Sequence, residues 1–244
     1  MIEVTYIDHM GSDLSVVNAA RVSFGKKSDW MPRVHNGEPK VLQFKDDKLI
    51  KYLAKHKHYS PFNHTFVTFH VKAPCFVARQ LQKHEYMIWN EISRRYVDEE
   101  PEFYIPENWR EKSDDKKQGS GDGFVNMLPQ DDTDEYADDK AYLADYWETN
   151  TTGYVEDNAY FHAMCTYKEL LEAGVCPEQA RMVLPQSMMT EWYWSGTMKA
   201  VHKMCSLRCK PDTQLETQIV ANHIDEEMAK LFPVSWEALR AYED

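Results

Sequence analysis

The chain has 244 residues, 43% of them hydrophobic and 13% aromatic, which is enough for a substantial core in one large domain or two small ones. It contains no run of about 18 apolar residues, so we expect no membrane span. Its formal net charge of −12 argues against extended nucleic-acid binding, which needs a broad basic surface.

The acidity is concentrated in one part of the chain. Residues 98–148 contain 17 acidic and 5 basic side chains. Since the whole chain holds 40 acidic and 28 basic residues, the remainder has 23 of each and is neutral. The net charge is therefore compatible with an anionic ligand elsewhere. The polar runs within about 107–155 predict an acidic surface insertion or mobile loop, with a lid as the alternative.

The N-terminus and the cysteines indicate a cellular compartment. The first residues, MIEVTYIDHMGSDLS, lack the charged region and apolar run of a secretory signal peptide. The five cysteines are dispersed and odd in number, which is typical of reduced thiols rather than of a disulfide framework. We expect a cytoplasmic protein, in the host cytoplasm if the source is viral.

The N-terminal part of the chain predicts both strands and helices. Weak alternation over 2–7 and the β-branched, aromatic segment 64–71 predict strands, separated by a loop over 25–42. Apolar residues at helical spacing predict helices over 12–22, 46–55 and 75–84.

The C-terminal part reads as mainly helical. A strand is predicted over the aromatic segment 188–195. Helices are predicted over 155–173 (ended by Gly174), 177–184, 197–207 and 211–231. The sum is an α+β protein, with one domain over 1–244, a small mainly antiparallel sheet flanked by helices, and a helical C-terminal half.

One segment, 79–96 (RQLQKHEYMIWNEISRRY), is unusually rich in polar side chains. It carries four fixed cations and two carboxylates, besides His84, Asn90 and Ser93. Burying such groups costs several kcal/mol unless each finds a partner. The segment therefore predicts contact with an anionic, hydrogen-bonding ligand. We expect Asn90, Glu91 and Ser93 to lie in a loop that contacts this ligand. Ser93 should bind the ligand and not act as a nucleophile, because no base is evident that would activate it.

Other basic residues recur near the ends of predicted helices. Arginine suits a phosphate or a pyrimidine edge because its guanidinium is a planar fork, whereas lysine acts as a point charge. Arg181 has apolar neighbours in ARMVLP and should need a partner, and Arg208 follows Leu207 at a helix end. A solvated surface is the alternative for any one of these residues.

Metal ligands are not indicated strongly. His64 and His70 would share a face of the predicted strand, but no carboxylate or cysteine completes a familiar spacing. His202, Cys205 and Cys209 only faintly resemble a zinc set. We therefore predict no metal.

Residues 83–93 read Lys-His-Glu, seven residues, then Ser, and this resembles the fingerprint of flavin-dependent thymidylate synthases: Arg-His-Arg, seven residues, Ser. The flanking blocks SPFNHTFVTFHVKAPCFVARQ and NEISRRY are similar to that family as well. So are GSDLSVVNAARVSF upstream and ARMVLPQSMMTEWYWSGTMKAVHKMCSLR downstream. The resemblance covers most of the chain outside 25–42 and 107–155.

The resemblance implies a homotetramer whose sites are built from several subunits. It implies FAD as cofactor, dUMP as substrate, and methylenetetrahydrofolate and NADPH as co-substrates in the reductive methylation of dUMP to dTMP. Arg208 would be catalytic by polarising the uracil near N3, and Arg181 would hold the phosphate or sugar. His58 would lie near the flavin ring and the folate site. The implied dUMP contacts are Gln80, Lys83, Glu91, Ser93, Arg95, Arg181 and Arg208. The implied FAD contacts are Ser60, His84, Glu85, Asn90, Thr197, Lys199 and Lys203.

The chain departs from the family pattern at several of these positions. Lys83 and Glu85 replace the two fingerprint arginines, and Glu85 reverses a charge beside a phosphate-bearing cofactor. Two alternatives follow: a non-catalytic nucleotide-binding homologue with weakened flavin binding, or a flavin and folate methyltransferase acting on another uracil-containing substrate. Thr197, Lys199 and Lys203 stand where Asn, Arg and Asn are usual, and Arg94 stands for Gly.

Overall fold

The computed structural model of the chain describes residues 1–32, 40–97, 99–113, 119–121, 123–125 and 159–243. Its backbone groups into two compact units. Unit 1 comprises Met1–Lys72, Val77–Glu91 and Glu191–Asp244, and unit 2 comprises Ala73–Phe76 and Ile92–Thr190. The predicted α+β class is confirmed, and one domain over 1–244 stays a prediction. Among the described residues, no helix is both long and apolar enough to cross a bilayer.

A four-stranded sheet runs in the order β1-β2-β4-β3. β1 pairs antiparallel with β2, and β3 pairs antiparallel with β4. Val67, Phe69 and Val71 of β2 are buried while the residues between them are partly exposed, because side chains alternate across a strand. The strands are β1 (Glu3–Met10), β2 (Phe66–Pro74), β3 (Met87–Glu91) and β4 (Met189–Thr197).

Eight α-helices lie within the residues that the structure describes. Ser12 begins the first of them, and its backbone N–H donates to the Ser15 hydroxyl at 3.0 Å. They are α1 (Asp13–Arg21), α2 (Phe44–Lys55), α3 (Cys75–Leu81), α4 (Phe161–Glu172), α5 (Pro177–Ala180), α6 (Met198–Arg208), α7 (Leu215–Leu231) and α8 (Pro233–Ala241).

Three predicted boundaries near the strands are wrong. Pro61 opens a 3-10 helix over Ser60–His64, so His64 does not share a strand face with His70. Segment 87–91, expected in part as a loop, is strand β3 because it pairs with β4 from Met87 to Glu91. α3 ends at Leu81 rather than at residue 84, and a turn carries the chain on to His84.

The C-terminal helices also differ from the prediction. α7 begins at Leu215 and not at Pro211, because the Thr213 hydroxyl and amide bond back to Leu207 and Lys210 and form a turn. Helix α8 was missed; it begins at Pro233, and proline is favoured in the first turn of a helix. The buried Asp13 carboxylate accepts the N–H groups of Val234 and Ser235 at 3.2 and 2.8 Å, which anchors this first turn in unit 1.

Unit 2 is organised around aromatic contacts and short helices. Phe103 stacks on Tyr160 at 5.0 Å between ring centroids. Gly174 follows α4 with a φ of 84°, as the sequence predicted. The start of the helix predicted over 155–173 and most of the acidic insertion predicted over 107–155 lie outside the described residues.

Candidate functional site

The end of α6 meets the end of α3 at Arg208, within unit 1. The Arg208 Nε donates to His84 Nε2 at 3.0 Å, and one terminal guanidinium nitrogen donates to the Gln80 carbonyl oxygen at 3.4 Å. The Gln80 carbonyl needs an outside donor because the last carbonyls of a helix have no partner within it. These two bonds use two of the five N–H groups of the guanidinium. The fork is therefore held in place with donors to spare.

His84 is a neutral imidazole at this junction. Burial, followed by the charges of Arg208 and Lys203, lowers the pKa of His84 to about 4. Its Nε2 accepts the Arg208 bond, so the ring proton is assigned to Nδ1. The ring meets Trp194 edge-on at 6.4 Å. The junction thus carries one positive charge, on Arg208, beside an uncharged ring.

Gln80 is held by the start of α7. Its Nε2 donates to Gln214 Oε1, and its Oε1 accepts from the Thr217 hydroxyl at 3.1 Å. Gln214 Nε2 in turn donates to Glu216 Oε2 at 3.0 Å. Gln80 was predicted to contact the ligand, but nothing in the sequence indicated the three residues that hold it, Gln214, Glu216 and Thr217. No short motif links them to Gln80, from which Gln214 is separated by 134 residues.

Glu85 has a basic partner. Lys203 Nζ donates to Glu85 Oε2 at 2.7 Å and lies 5.9 Å from the centre of the Tyr86 ring. The hydrogen bond and the charge of Lys203 lower the pKa of Glu85, and Glu85 raises the pKa of Lys203 in the same way. The two side chains are 66% and 56% exposed. The charge reversal at Glu85 is thus matched by a lysine of α6, in a solvated setting.

The first turns of α6 carry two more predicted cofactor contacts. The Thr197 hydroxyl accepts the Ala200 amide at 3.3 Å as the helix cap and donates to Asn63 Oδ1 at 2.8 Å. Lys199 Nζ lies 3.5 Å from the centre of the Tyr59 ring and 3.1 Å from His202 Nδ1. Both residues therefore have partners before any ligand binds.

Two further predicted contacts lie between α2 and β2. Ser60 begins the 3-10 helix and is exposed. His58 is also exposed, and its ring lies 6.1 Å from that of Tyr52 and 6.3 Å from that of His56. These aromatic rings form a solvent-facing group around the residue expected near the flavin ring and the folate site.

Asn90 and Glu91 lie on strand β3 rather than in a loop. Asn90 is paired with Tyr193 and Glu91 with Trp192 of β4. The Glu91 carboxylate accepts from Trp89 Nε1 at 3.0 Å. Both residues are exposed, on a strand whose backbone bonding limits how far they can move.

The remaining predicted nucleotide contacts are Lys83 in unit 1 and three residues of unit 2. Lys83 is exposed in the turn after α3. Arg95 Nε donates to Ser93 Oγ at 3.4 Å, and an Arg95 terminal nitrogen lies 3.6 Å from Glu178 Oε1. Arg181 is exposed in a 3-10 turn after α5, and the partner expected for its charge stays a prediction.

The faint metal set also looks different in three dimensions. Cys205, Cys209 and Asp225 bring ligand atoms within 4.8 Å of one another. His202 is not in the group, since its Nε2 lies 3.0 Å from the Leu239 carbonyl. Arg240 Nε lies 3.0 Å from Asp225, and its positive charge opposes a cation there. The absence of a metal stays a prediction.

A family model described as thymidylate synthase complementing protein matches residues 5–234. A flavin-dependent thymidylate synthase of Thermus thermophilus is 36% identical, covering 98% of this chain and 76% of the relative. That of Kosmotoga olearia is 37% identical, covering 96% and 88%. That of Thermosipho africanus is 38% identical, covering 95% and 88%.

A solved structure is similar over nearly the whole chain. It is a UMP/dUMP methylase, PolB from Streptomyces cacaoi, bound with 5-Br dUMP. It superposes with a TM-score of 0.74 at 31% sequence identity, covering 99% of this chain and 96% of that one.

Proposed function

The chain belongs to the flavin-dependent thymidylate synthase family, and on this premise we propose that it catalyses the FAD-dependent reductive methylation of dUMP to dTMP, with methylenetetrahydrofolate as carbon donor and NADPH as reductant. As a member of this family it is an enzyme of the methyltransferase class. The observation that carries the proposal is the arrangement at Arg208, where a fixed guanidinium stands beside a neutral imidazole.

Arg208 is the proposed catalytic residue. Methylation of a uracil ring at C5 requires electron density to build up on the ring, and a guanidinium near N3 and its carbonyl neighbours stabilises that density. Because His84 is neutral, it fixes the guanidinium without adding a second positive charge. Gln80 and Lys83 belong to the same unit and are proposed to contact the nucleotide with Glu91.

Ser93, Arg95 and Arg181 are proposed to supply the remaining nucleotide contacts. Their donors, two exposed guanidinium groups and a hydroxyl, suit the phosphate and sugar of dUMP. We also propose a cytoplasmic homotetramer whose sites draw on several subunits, which is the assembly that the family resemblance implies. Size-exclusion chromatography with light scattering tests the assembly, and a monomeric mass would contradict it.

The exposed face of α6 suits FAD. Lys199 and Lys203 supply cations beside the aromatic rings of Tyr59 and Tyr86, a combination that fits a phosphorylated aromatic ligand. A bound flavin supplies the redox chemistry of the reaction, while the protein binds and orients it. The other proposed flavin contacts are Ser60, His84, Glu85, Asn90 and Thr197, with His58 near the ring and the folate donor.

The direct test is a reconstitution. Purified protein loaded with FAD is given dUMP, methylenetetrahydrofolate and NADPH, and dTMP is measured by chromatography and mass spectrometry. We expect dTMP to form and to require all four components. A folded, flavin-loaded protein that makes no dTMP contradicts the proposal. A colourless protein that cannot be loaded with FAD supports a non-catalytic homologue instead.

A second substrate is favoured by one observation. The similar structure is described as a methylase of both UMP and dUMP. The same reconstitution with UMP in place of dUMP tests whether this chain also accepts a ribonucleotide. Turnover of UMP alone, with dUMP inert, would favour the methyltransferase acting on another uracil-containing substrate.

A further inference from the structure

The side-chain amide of Gln80 has both of its ends bonded to the first turn of α7. Its nitrogen donates to Gln214 and its oxygen accepts from Thr217 at 3.1 Å. We infer that Gln214 and Thr217 are positioning residues that set the orientation of Gln80 toward the nucleotide. This inference rests on the proposed function, in which Gln80 contacts dUMP.

Glu216 sets the direction of the whole chain of bonds. A carboxylate only accepts hydrogen bonds, so Gln214 must turn its nitrogen toward Glu216, which it meets at 3.0 Å. The side-chain oxygen of Gln214 then faces Gln80, so Gln80 must turn its side-chain nitrogen toward that oxygen to donate a hydrogen bond. The Gln80 oxygen is left for the Thr217 hydroxyl. The two amide orientations, which coordinates alone seldom distinguish, are therefore determined by one carboxylate.

Burial makes this arrangement rigid. Thr217 is 0% exposed and Glu216 is 3% exposed. A buried hydroxyl or carboxylate without a partner is costly, so a reversed Gln80 amide, which would face Gln214 oxygen to oxygen, is strongly disfavoured. Glu216 is also stabilised by its place in the first turn of α7, where the helix dipole favours a negative charge.

The consequence for a ligand is specific. A glutamine amide has two N–H donors and two acceptor lone pairs, and the α7 bonds use one of each. Gln80 can therefore present one N–H and one lone pair, in directions fixed before the ligand arrives. The backbone carbonyl of Gln80 accepts from Arg208 at 3.4 Å, so the α7 bonds also hold in place a residue that Arg208 contacts. Such preorganisation lowers the cost of ordering a contact on binding.

The test compares two buried threonines. Thr217→Val keeps the shape and removes the hydroxyl that meets Gln80. Thr65→Val is the matched control, since Thr65 is also 0% exposed and its hydroxyl donates to the Phe62 carbonyl at 2.9 Å instead. The dUMP dissociation constant is measured by calorimetry on the FAD-loaded proteins, together with KM and kcat for dUMP.

We expect Thr217→Val to weaken dUMP binding by roughly 3- to 10-fold, the usual effect of one lost hydrogen bond. The loss should appear in KM with kcat nearly unchanged, and Thr217→Ser should restore it. Thr65→Val should bind dUMP as the wild type does. Unchanged binding by Thr217→Val, or an equal loss in both valine variants, overturns the inference.

A second pair decides the matter if Thr217→Val does not fold. Gln214→Met removes the other bond to Gln80, while Gln218→Met removes an α7 glutamine whose side chain donates to the Lys210 and Thr213 carbonyls. Weaker dUMP binding in the first but not in the second supports the inference, and equal binding in both contradicts it. If the flavin-loaded wild type itself does not bind dUMP, the proposed function fails and the inference fails with it.

Discussion

Arg208 and Lys203 lie on the same helix, α6, but the Arg208 junction is partly buried whereas the Lys203–Glu85 pair is exposed to water. Arg208 is partly buried against His84, and burial lowers the pKa values of both groups. Lys203 and Glu85 are more than half exposed, and their mutual attraction stabilises both charges. A charge acts strongly where water is excluded and weakly where water screens it. We therefore expect the rate of the reaction to depend on the Arg208 junction, and the Lys203–Glu85 pair to change only the affinity for FAD.

The largest expected effect is at Arg208. Arg208→Ala should reduce turnover of dUMP by about 10²–10³-fold, as when one electrostatic stabiliser is lost from an active site. Flavin content should be unchanged, because Arg208 is not among the proposed flavin contacts. Steady-state kinetics and the flavin absorbance measure the two quantities. Lys210→Ala, which removes an exposed cation two residues away, is the control. Wild-type turnover in Arg208→Ala would contradict the expectation that the reaction depends on the partly buried Arg208 junction.

The buried region should also respond to pH. The pKa values of His84 and His202 are lowered to about 4 in the folded protein, whereas unfolded histidine titrates near 6.5. The unfolded state therefore binds more protons between these values, and the free energy of unfolding should fall as pH drops from about 6.5 to about 4. The slope is at most about 1.4 kcal/mol per pH unit for each histidine, and less for the partly exposed His84.

Urea unfolding at several pH values measures this dependence. His202→Asn should flatten it, since the asparagine does not titrate. The matched control is His223→Asn, because His223 is exposed. His202 contacts Lys199 and the Leu239 carbonyl, and both contacts are part of its buried setting. An unchanged slope in His202→Asn would mean that this burial does not lower the pKa of His202.

The smallest expected effect is at Glu85. Glu85→Gln frees Lys203 to meet a phosphate, so FAD should bind roughly two- to fivefold more tightly, in keeping with a solvent-exposed ion pair. The gain should shrink at high salt. Fluorescence titration with FAD measures it. Glu227→Gln, which breaks the Glu227–Lys230 pair of α7 at 3.0 Å, is the control. Weaker FAD binding would contradict this expectation and would show that the carboxylate of Glu85, a proposed flavin contact, stabilises the bound cofactor.

Sequence reasoning succeeded where a residue's role depends on its neighbours in the chain. A strand at β2, the start of α6 near Thr197 and Gly174 after α4 were all predicted, because strand propensity, helical spacing and turn residues are local properties. β3 and α8 were missed for the opposite reason. The short 87–91 segment is a strand only because β4 pairs with it, and the helix that opens at Pro233 has its first turn anchored by Asp13, a residue 221 positions before Val234.

The family, the α+β class and the charged residues of segment 79–96 follow from the amino-acid sequence, because several separated blocks match the family in the right order and no contact has to be known. Which charges have partners follows from the tertiary structure. It gave Arg208 a neutral histidine, Glu85 a lysine, and Gln80 an amide partner 134 residues away. Burial and direction of hydrogen bonding are properties of the packed chain, since both depend on what lies across space from a side chain.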